Sequence, residues 1–303
     1  MSPISIAVIG QSGQVARALT REAAARGVRL LAAGRPSVDL TDAGSVYTFL
    51  LSTKADLIVN AGAITGVDKA EVQRDQAFLI NAAGPRVLSR LAAETGVPVI
   101  HLSTDYVFDG ANRTPYVESD PIAPMGVYGA SKAAGEAAVR DEQPQHLILR
   151  TSWVFSSDGE NFVKTMLRLG AARDEVGVVS DQVGCPTYAG DIAGAILELA
   201  PRLVSDKTGA LWGTYHYTNC GATTWHDFAV EIFALAGREG LRVPRLKAIT
   251  TAEYPTPARR PTYSVLDNTK FERAFGLARR HWREPLQACI KTLAQKMREG
   301  GLS

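Results

Sequence analysis

ISIAVIGQSGQVAR, residues 4–17, is the stretch on which the reading of the fold turns. Residues 4–9 form a short β-branched apolar run, Gly10-Gln-Ser-Gly13 breaks it, and an alanine-rich amphipathic stretch over 14–26 follows at once. Strand, glycine turn and helix in that order give each small residue a task. Gly10 can take the positive φ of a tight turn, Gly13 lets the backbone approach a pyrophosphate, and Ala16 lets the helix pack closely on the strand. The helix start adds free N–H groups and a partial positive charge, which favour phosphate. The expectation is a dinucleotide site built on Gly10, Gly13, Gln14 and Val15.

The same alternation continues outward. Apolar runs at 28–33, 56–60, 97–103 and 146–151 read as buried strands, and 77–95 and 127–141 read as helices between them. This predicts an α/β fold: a Rossmann-like, doubly wound parallel sheet. After Thr151 the pattern changes to polar connections at 156–161 and 174–184, a helix over 191–203, a brief strand at 216–218, and helix and loop from Thr224. The predicted division is a dinucleotide-binding domain from 1–151 plus about 187–219. A smaller, mainly C-terminal α/β substrate domain would take about 152–186 plus 220–303.

Composition narrows the class. Of 303 residues, 46% are hydrophobic, and 33 basic residues face 31 acidic ones for a net charge of +2. That excludes a disordered chain and gives no basic stripe for nucleic acid. No apolar run approaches a membrane span, and residues 1–10 enter a strand without a basic leader, so a cytoplasmic protein is expected. Cys185, Cys220 and Cys289 are scattered and odd in number, which fits neither a disulfide framework nor a metal site.

The second strand run ends Ala33-Gly34-Arg35, without a carboxylate for a ribose 2′-hydroxyl. Arg35 can meet a 2′-phosphate instead, which favours NADPH and leaves NADH possible. Asp39 and Leu40 fall beside the expected adenine. The small residues Ala61, Gly62 and Ala63 follow the third strand run, where a cofactor would pass.

Chemistry concentrates in Tyr128-Gly-Ala-Ser-Lys132. Four residues apart on a helix, Tyr128 and Lys132 share a face. A nearby ammonium is expected to lower the phenol pKa by about 1–3 units, so that Tyr128 can exchange a proton with a carbonyl oxygen. Thr104 ends a strand run, where ligands collect in parallel sheets, and can bond the same oxygen. His101 on that strand reads as a core histidine, and His216 and His226 as structural or surface residues. Trp212, Trp225 and Trp282 read as packing residues, Asp68-Lys-Ala-Glu71 as a charge cluster at a helix start, and Arg279-Arg280 as a solvated pair.

With these motifs in hand, the chain resembles the extended short-chain dehydrogenase/reductases, and within them the dTDP-4-dehydrorhamnose reductase family. The resemblance rests on NAGAITGVDKAE (60–71), STDYVFDG (103–110), PYVESDPIAPMGVYGASKAAGE (115–136), RTSWVF (150–155), NFVKTML (161–167), DQVGCPT (181–187) and ARRPTYSVLD (258–267). It implies NAD(P)H-dependent reduction of the C4 keto group of dTDP-4-dehydro-L-rhamnose. Tyr128 would be the proton donor, Lys132 its activator and ribose clamp, and Thr104 the carbonyl partner. It further implies that Asp105, Tyr106 and Trp153 hold the sugar, while Asn161, Gln182, Pro186 and Arg260 meet the nucleotide diphosphate. Some members pair through a metal bound by acidic residues at the first helix; Val15 and Ala16 stand there, so no metal is expected, with a monomer or homodimer left open. Alternatives are a non-catalytic NADP-binding subunit, or a reductase or epimerase of another 4-keto-6-deoxy sugar nucleotide. A dehydratase would need a further carboxylate where Tyr106 stands.

Overall fold

A computed structural model of the chain describes residues 4–206 and 208–300; residues 1–3 and 301–303, at the ends of the expected domains, and Lys207 lie outside the described residues. In chain order, β1 (Ser5–Ile9) runs into α1 (Gln14–Ala25), followed by β2 (Arg29–Ala33), α2 (Ala43–Thr53) and β3 (Leu57–Asn60). Three helical pieces, α3 (Val67–Val72), α4 (Arg74–Phe78) and α5 (Gly84–Glu94), lead to β4 (Val99–Thr104), α6 (Val127–Glu142) and β5 (His146–Thr151). The second half contains β6 (Val154–Phe155), α7 (Phe162–Ala172), β7 (Glu175–Val179), β8 (Val183–Gly184), β9 (Thr187–Tyr188) and α8 (Ala189–Ser205). It ends with β10 (Gly213–His216), β11 (Thr223–Thr224), α9 (Trp225–Arg238), β12 (Arg245–Ile249), α10 (Thr269–Phe275) and α11 (Arg283–Arg298).

Six strands form one parallel sheet in the order β10-β5-β4-β3-β1-β2. All five residues of β1 are buried, as a strand covered on both faces requires. The chain leaves β1 first toward β2 and then returns to β3 on the other side, so β1 is the switch point of the sheet. Register sets Ile9 level with Ala33 and Asn60, which brings Gly10 and Ala61 out side by side at the carboxyl edge. On one face α1 turns Val15, Ala16, Ala18, Leu19 and Ala23 into a core shared with α8, and Phe271 and Phe275 of α10 join it. A separate core gathers Phe155, Val163, Leu167 and Val176 with Phe228, Phe233, Trp282 and Ile290.

The structure departs from the sequence reading in several places. The helix expected over 77–95 is broken by a π turn, Leu79–Ala83, which carries the buried Asn81. Periodicity misses this, because one inserted residue barely disturbs the apolar pattern. The polar connection at 174–184 contains β7, and the helix-and-loop tract after Thr224 contains β12; the two pair in parallel. β7 buries only Val176 and Val178, in alternation, and β12 buries none of its residues, so neither shows the fully buried apolar run expected of a core strand. The strand expected at 216–218 lies earlier, and α2 was not singled out. Arg279 and Arg280 are not a solvated pair: Arg279 Nε bonds Glu272 and its Nη1 the Thr218 carbonyl, while Arg280 Nη2 meets Asp191 at 2.6 Å. Among the described residues no helix is long and apolar enough to cross a membrane.

Beneath α6 a buried ion pair fastens the helix to the sheet. Arg150 of β5 donates from Nε to Glu136 Oε1 (2.8 Å) and from Nη2 to Oε2 (2.7 Å), and the Ser103 hydroxyl donates to Oε1 at 2.6 Å. Burial alone would raise the Glu136 carboxyl, but its hydrogen bonds and the Arg150 charge hold it below its usual value. Removing one member would strand the other's charge in the interior. Arg150→Met is therefore expected to destabilise the protein by about 3–5 kcal/mol in urea unfolding. Arg86→Ala, which breaks the half-exposed pair with Glu142 at 2.7 Å, is expected to cost about 1 kcal/mol or less.

Candidate active site

β4 delivers Thr104 to the carboxyl edge of the sheet, and α6 carries Tyr128 and Lys132 one turn apart beside it. The helix sits unusually close to its neighbours. A Cβ on Gly129 would lie 2.0 Å from the Tyr106 carbonyl oxygen, and one on Gly135 would lie 2.0 Å from that of Asn81. Only glycine permits this approach, and it presses Tyr128 against the segment after β4. The Tyr106 and Tyr128 rings meet edge to face, 5.6 Å between centroids. Thr104 accepts from the Tyr106 N–H at 3.2 Å and donates to Asp105 Oδ1 at 3.0 Å.

Burial sets the protonation states. Lys132 Nζ donates to the Leu102 carbonyl at 2.7 Å and lies 3.3 Å from His101 Nε2. Desolvation brings the Lys132 ammonium down to about 8, with Glu136 pulling it back up. His101 is the buried core residue expected, kept neutral first by burial and then by the Lys132 charge, with Asn60 Nδ2 at 3.1 Å from its Nδ1. The expectation that Lys132 lowers the Tyr128 phenol does not hold. Burial pushes that phenol above its ordinary value, the Thr104 hydroxyl pulls the other way, and Asp105 and Tyr106 add to the rise. Tyr128 thus stays protonated. Burial raises Asp105 to about 6 against the lowering pull of the Ser264 and Thr104 hydroxyls; Thr104 bonds its Oδ1, and its Oδ2 has no partner.

On the cofactor side, Gly10 adopts φ 107°, and its N–H donates to the Ala33 carbonyl at 2.7 Å. A Cβ there would lie 2.8 Å from the Gly62 nitrogen. Gly13 is the N-cap of α1; no side chain caps this helix and no acidic residue lies in its first turn. That exposed cradle of N–H groups fits a dinucleotide diphosphate. Ala61, Gly62 and Ala63 line the exit of β3, partly exposed, and Arg35 is exposed just after β2, on the other side of β1. Of the residues expected here, Gln14 and Val15 offer the diphosphate their backbone N–H groups rather than their side chains. The Val15 side chain points into the core, and that of Gln14 turns to residues 154–161, donating to the Val154 carbonyl and accepting from Ser156 and Asn161. Asp39 Oδ1 holds the Thr41 N–H in a turn, and Leu40 is buried against Gly62 and Gly84.

On the substrate side, Trp153 stands at the end of β5 with φ 47°, a left-handed conformation rare for a bulky residue and characteristic of functional sites. Its ring stacks on Trp225 at 3.4 Å between centroids, so Trp225 packs, as expected, and does so against Trp153. Arg260 donates from Nη2 to Asp68 at 2.8 Å and from Nη1 to the Tyr106 hydroxyl at 3.4 Å, next to Tyr128. Burial raises that Tyr106 hydroxyl to about 12. Asn161 and Gln182 are already engaged: Asn161 caps α7 and bonds Gln14, and Gln182 Nε2 bonds Thr251 at 3.0 Å. Pro186 is buried between β8 and β9. Asn81 escaped the sequence reading. Its amide accepts from the Ile64 N–H (2.8 Å) and donates to the Ile64 carbonyl and the Ser131 hydroxyl, joining the loop after β3 to α6. Only the π turn, invisible in the pattern, would have marked it.

Residues 4–295 match the family described as the RmlD substrate binding domain. A Sinorhizobium fredii protein named dTDP-4-dehydrorhamnose reductase is 45% identical over 288 residues, covering 95% of this chain and 97% of the relative. The crystal structure of a Clostridium acetobutylicum dTDP-4-dehydrorhamnose reductase superposes with a TM-score of 0.89 at 38% identity, covering 96% of this chain and 99% of that one. A Bacillus anthracis structure of that name, in complex with NADP, superposes at 0.87 with 34% identity, covering 95% and 98%.

The raised carboxyl of Asp105 has a consequence for stability. The folded state holds its proton more tightly than the unfolded chain. Its contribution is therefore fully present below the ordinary carboxylate range and is lost as pH rises through about 6. Asp105→Asn is expected to be more stable than the parent at pH 7.5, by up to about 3 kcal/mol in urea unfolding, with no gain near pH 4. Equal stabilities at both values would contradict this account.

Proposed function

The chain belongs to the dTDP-4-dehydrorhamnose reductase family, and from that premise we propose that it reduces the C4 keto group of dTDP-4-dehydro-L-rhamnose with NADPH, giving dTDP-L-rhamnose. The observation that carries this reading is the meeting of Thr104, a protonated Tyr128 and Lys132 two strands along the sheet from the uncapped glycine turn. Gly10, Gly13 and Ala61–Ala63 would hold the dinucleotide, and Arg35 would meet its 2′-phosphate. When bound, the reduced nicotinamide supplies the hydride that C4 accepts.

The chain's own residues do the rest. Tyr128 gives its phenol proton to the C4 oxygen, and burial keeps that proton in place until it is needed. The Thr104 hydroxyl, whose oxygen accepts from the Tyr106 N–H, turns its one proton from Asp105 to the same C4 oxygen when substrate is bound. Lys132 supplies positive charge one turn below, where a tyrosinate would develop. Asp105, Tyr106 and the Trp153–Trp225 stack would hold the sugar, and Arg260 suits a diphosphate oxygen. In this reading the dinucleotide lobe spans 1–151 and about 187–219, and the sugar-nucleotide lobe 152–186 and 220–303. The protein works as a cytoplasmic biosynthetic enzyme, as a monomer or homodimer.

The test is NADPH consumption by the purified protein in the presence of dTDP-4-dehydro-L-rhamnose. Tyr128→Phe is expected to lower kcat by about 10²–10⁴ while NADPH still binds; near-parental kcat in that variant would end the assignment. Arg35→Ala should weaken NADPH more than NADH, and equal losses in a direct titration would refute the 2′-phosphate contact.

A further inference from the structure

The charge cluster on α3 is not merely a solvated helix start. We infer that Asp68 and Glu71 are positioning residues that tie the grip of Arg260 on a nucleoside diphosphate to the placement of Tyr128; this rests on the sugar-nucleotide reading above.

The helix is anchored by Ala70, which is fully buried in a small cluster with Ala77 and Val127, against which Tyr128 packs. From this anchor its two carboxylates reach in different directions. Asp68 Oδ2 accepts from Arg260 Nη2 at 2.8 Å, and its Oδ1 accepts from the Ala258 N–H at 3.2 Å. One side chain thus fixes both the guanidinium and the loop that carries it. Glu71 Oε1 accepts from the Val127 N–H at 2.8 Å. That bond matters because the N-cap of α6 is Gly126, which has no side chain to offer. An uncapped first turn at this depth would leave a donor unpaired. The Glu71 carboxylate supplies the missing cap and the negative charge that a helix start favours, one residue from Tyr128.

The contacts close into a ring. Asp68 holds Arg260, Arg260 reaches the Tyr106 hydroxyl, Tyr106 lies edge-on to Tyr128, and Tyr128 begins the helix that Glu71 caps. The Asp68–Arg260 pair is partly exposed, with side chains 39% and 25% accessible, so it adds little to stability. Its effect is orientation.

The two residues should therefore fail differently in steady-state kinetics on the NADPH-loaded enzyme, with dTDP binding followed by calorimetry. Asp68→Ala is expected to raise KM and the dTDP dissociation constant about tenfold while kcat falls less than about threefold, and Asp68→Asn, which keeps the acceptor for Ala258, should lose less. Glu71→Ala is expected to lower kcat about tenfold with KM within about twofold, and Glu71→Gln, which can still accept from Val127, should recover most of it. A purely structural role would move melting temperature and leave both constants of the folded fraction unchanged. That result, tighter dTDP binding in Asp68→Asn, or the same parameter shifting in both pairs would overturn the inference. Should the alanine variants not fold, the Asn and Gln variants carry the same split at smaller amplitude. Arg260→Ala is the control. If dTDP does not bind the parent, or binds Arg260→Ala equally well, the sugar-nucleotide reading itself fails and the inference goes with it.

Discussion

The tight passage of Gly10 between the ends of β2 and β3 is the constraint on which the rest of the structure depends. The turn donates to Ala33 on one side and comes within a Cβ's reach of Gly62 on the other. No residue with a side chain could stand there without moving β3 away. Because the strand order reverses at β1, the crevice opens at this point, and the bare N-terminus of α1 faces it. Everything catalytic is arranged along the same carboxyl edge.

A second requirement follows from placing chemistry on a central parallel sheet. Thr104 and Lys132 sit where a buried sheet would ordinarily be apolar, so each polar group needs a partner. The protein meets this with a continuous polar layer beneath α6. Lys132 is held by Leu102 and His101, His101 by Asn60, and Ser103 and Arg150 by Glu136. His216, fully buried, closes the layer by meeting Arg150 and the carbonyls of Tyr116 and Asp267. Low polarity around these groups keeps Tyr128 protonated and His101 neutral. The same burial that serves a proton donor also leaves Asp105 with an unpartnered oxygen. Such a cost is tolerated at sites that must receive a ligand's own hydrogen bonds.

Polar knots reinforce the apolar packing of the C-terminal segments on the sheet, where Phe271 and Phe275 join the core of α1 and α8 and Leu266 packs with Val107 and Phe108. Gln14, at the start of the phosphate-facing helix, is bonded into residues 154–161, directly after the strained Trp153. Asp68 and Arg260 form a second knot across the opposite side of the site. Residues that suit ligand binding by type, such as Asn161 and Gln14, are here occupied with each other. Residue chemistry alone does not distinguish the two uses, because an amide serves a neighbouring loop as well as a phosphate.

Local rules were enough for much of this protein. The glycine turn follows a strand and opens a helix, and those features are set by neighbours in the chain. The i, i+4 spacing of Tyr128 and Lys132 likewise needs only a helix. The alternation of apolar runs with amphipathic stretches implied a parallel sheet, and residues 146–151 appear as a strand within the limits expected. What only the tertiary structure decided depends on distant segments meeting. Asn81, carried on the π turn, gains its place only when Ile64 and Ser131 come together on its amide. The β7–β12 pair exists only where residues 175–179 and 245–249, distant in sequence, come into register. The direction of the Tyr128 shift is decided in the same way: spacing reveals the nearby lysine, but burial, a property of the whole fold, raises the phenol.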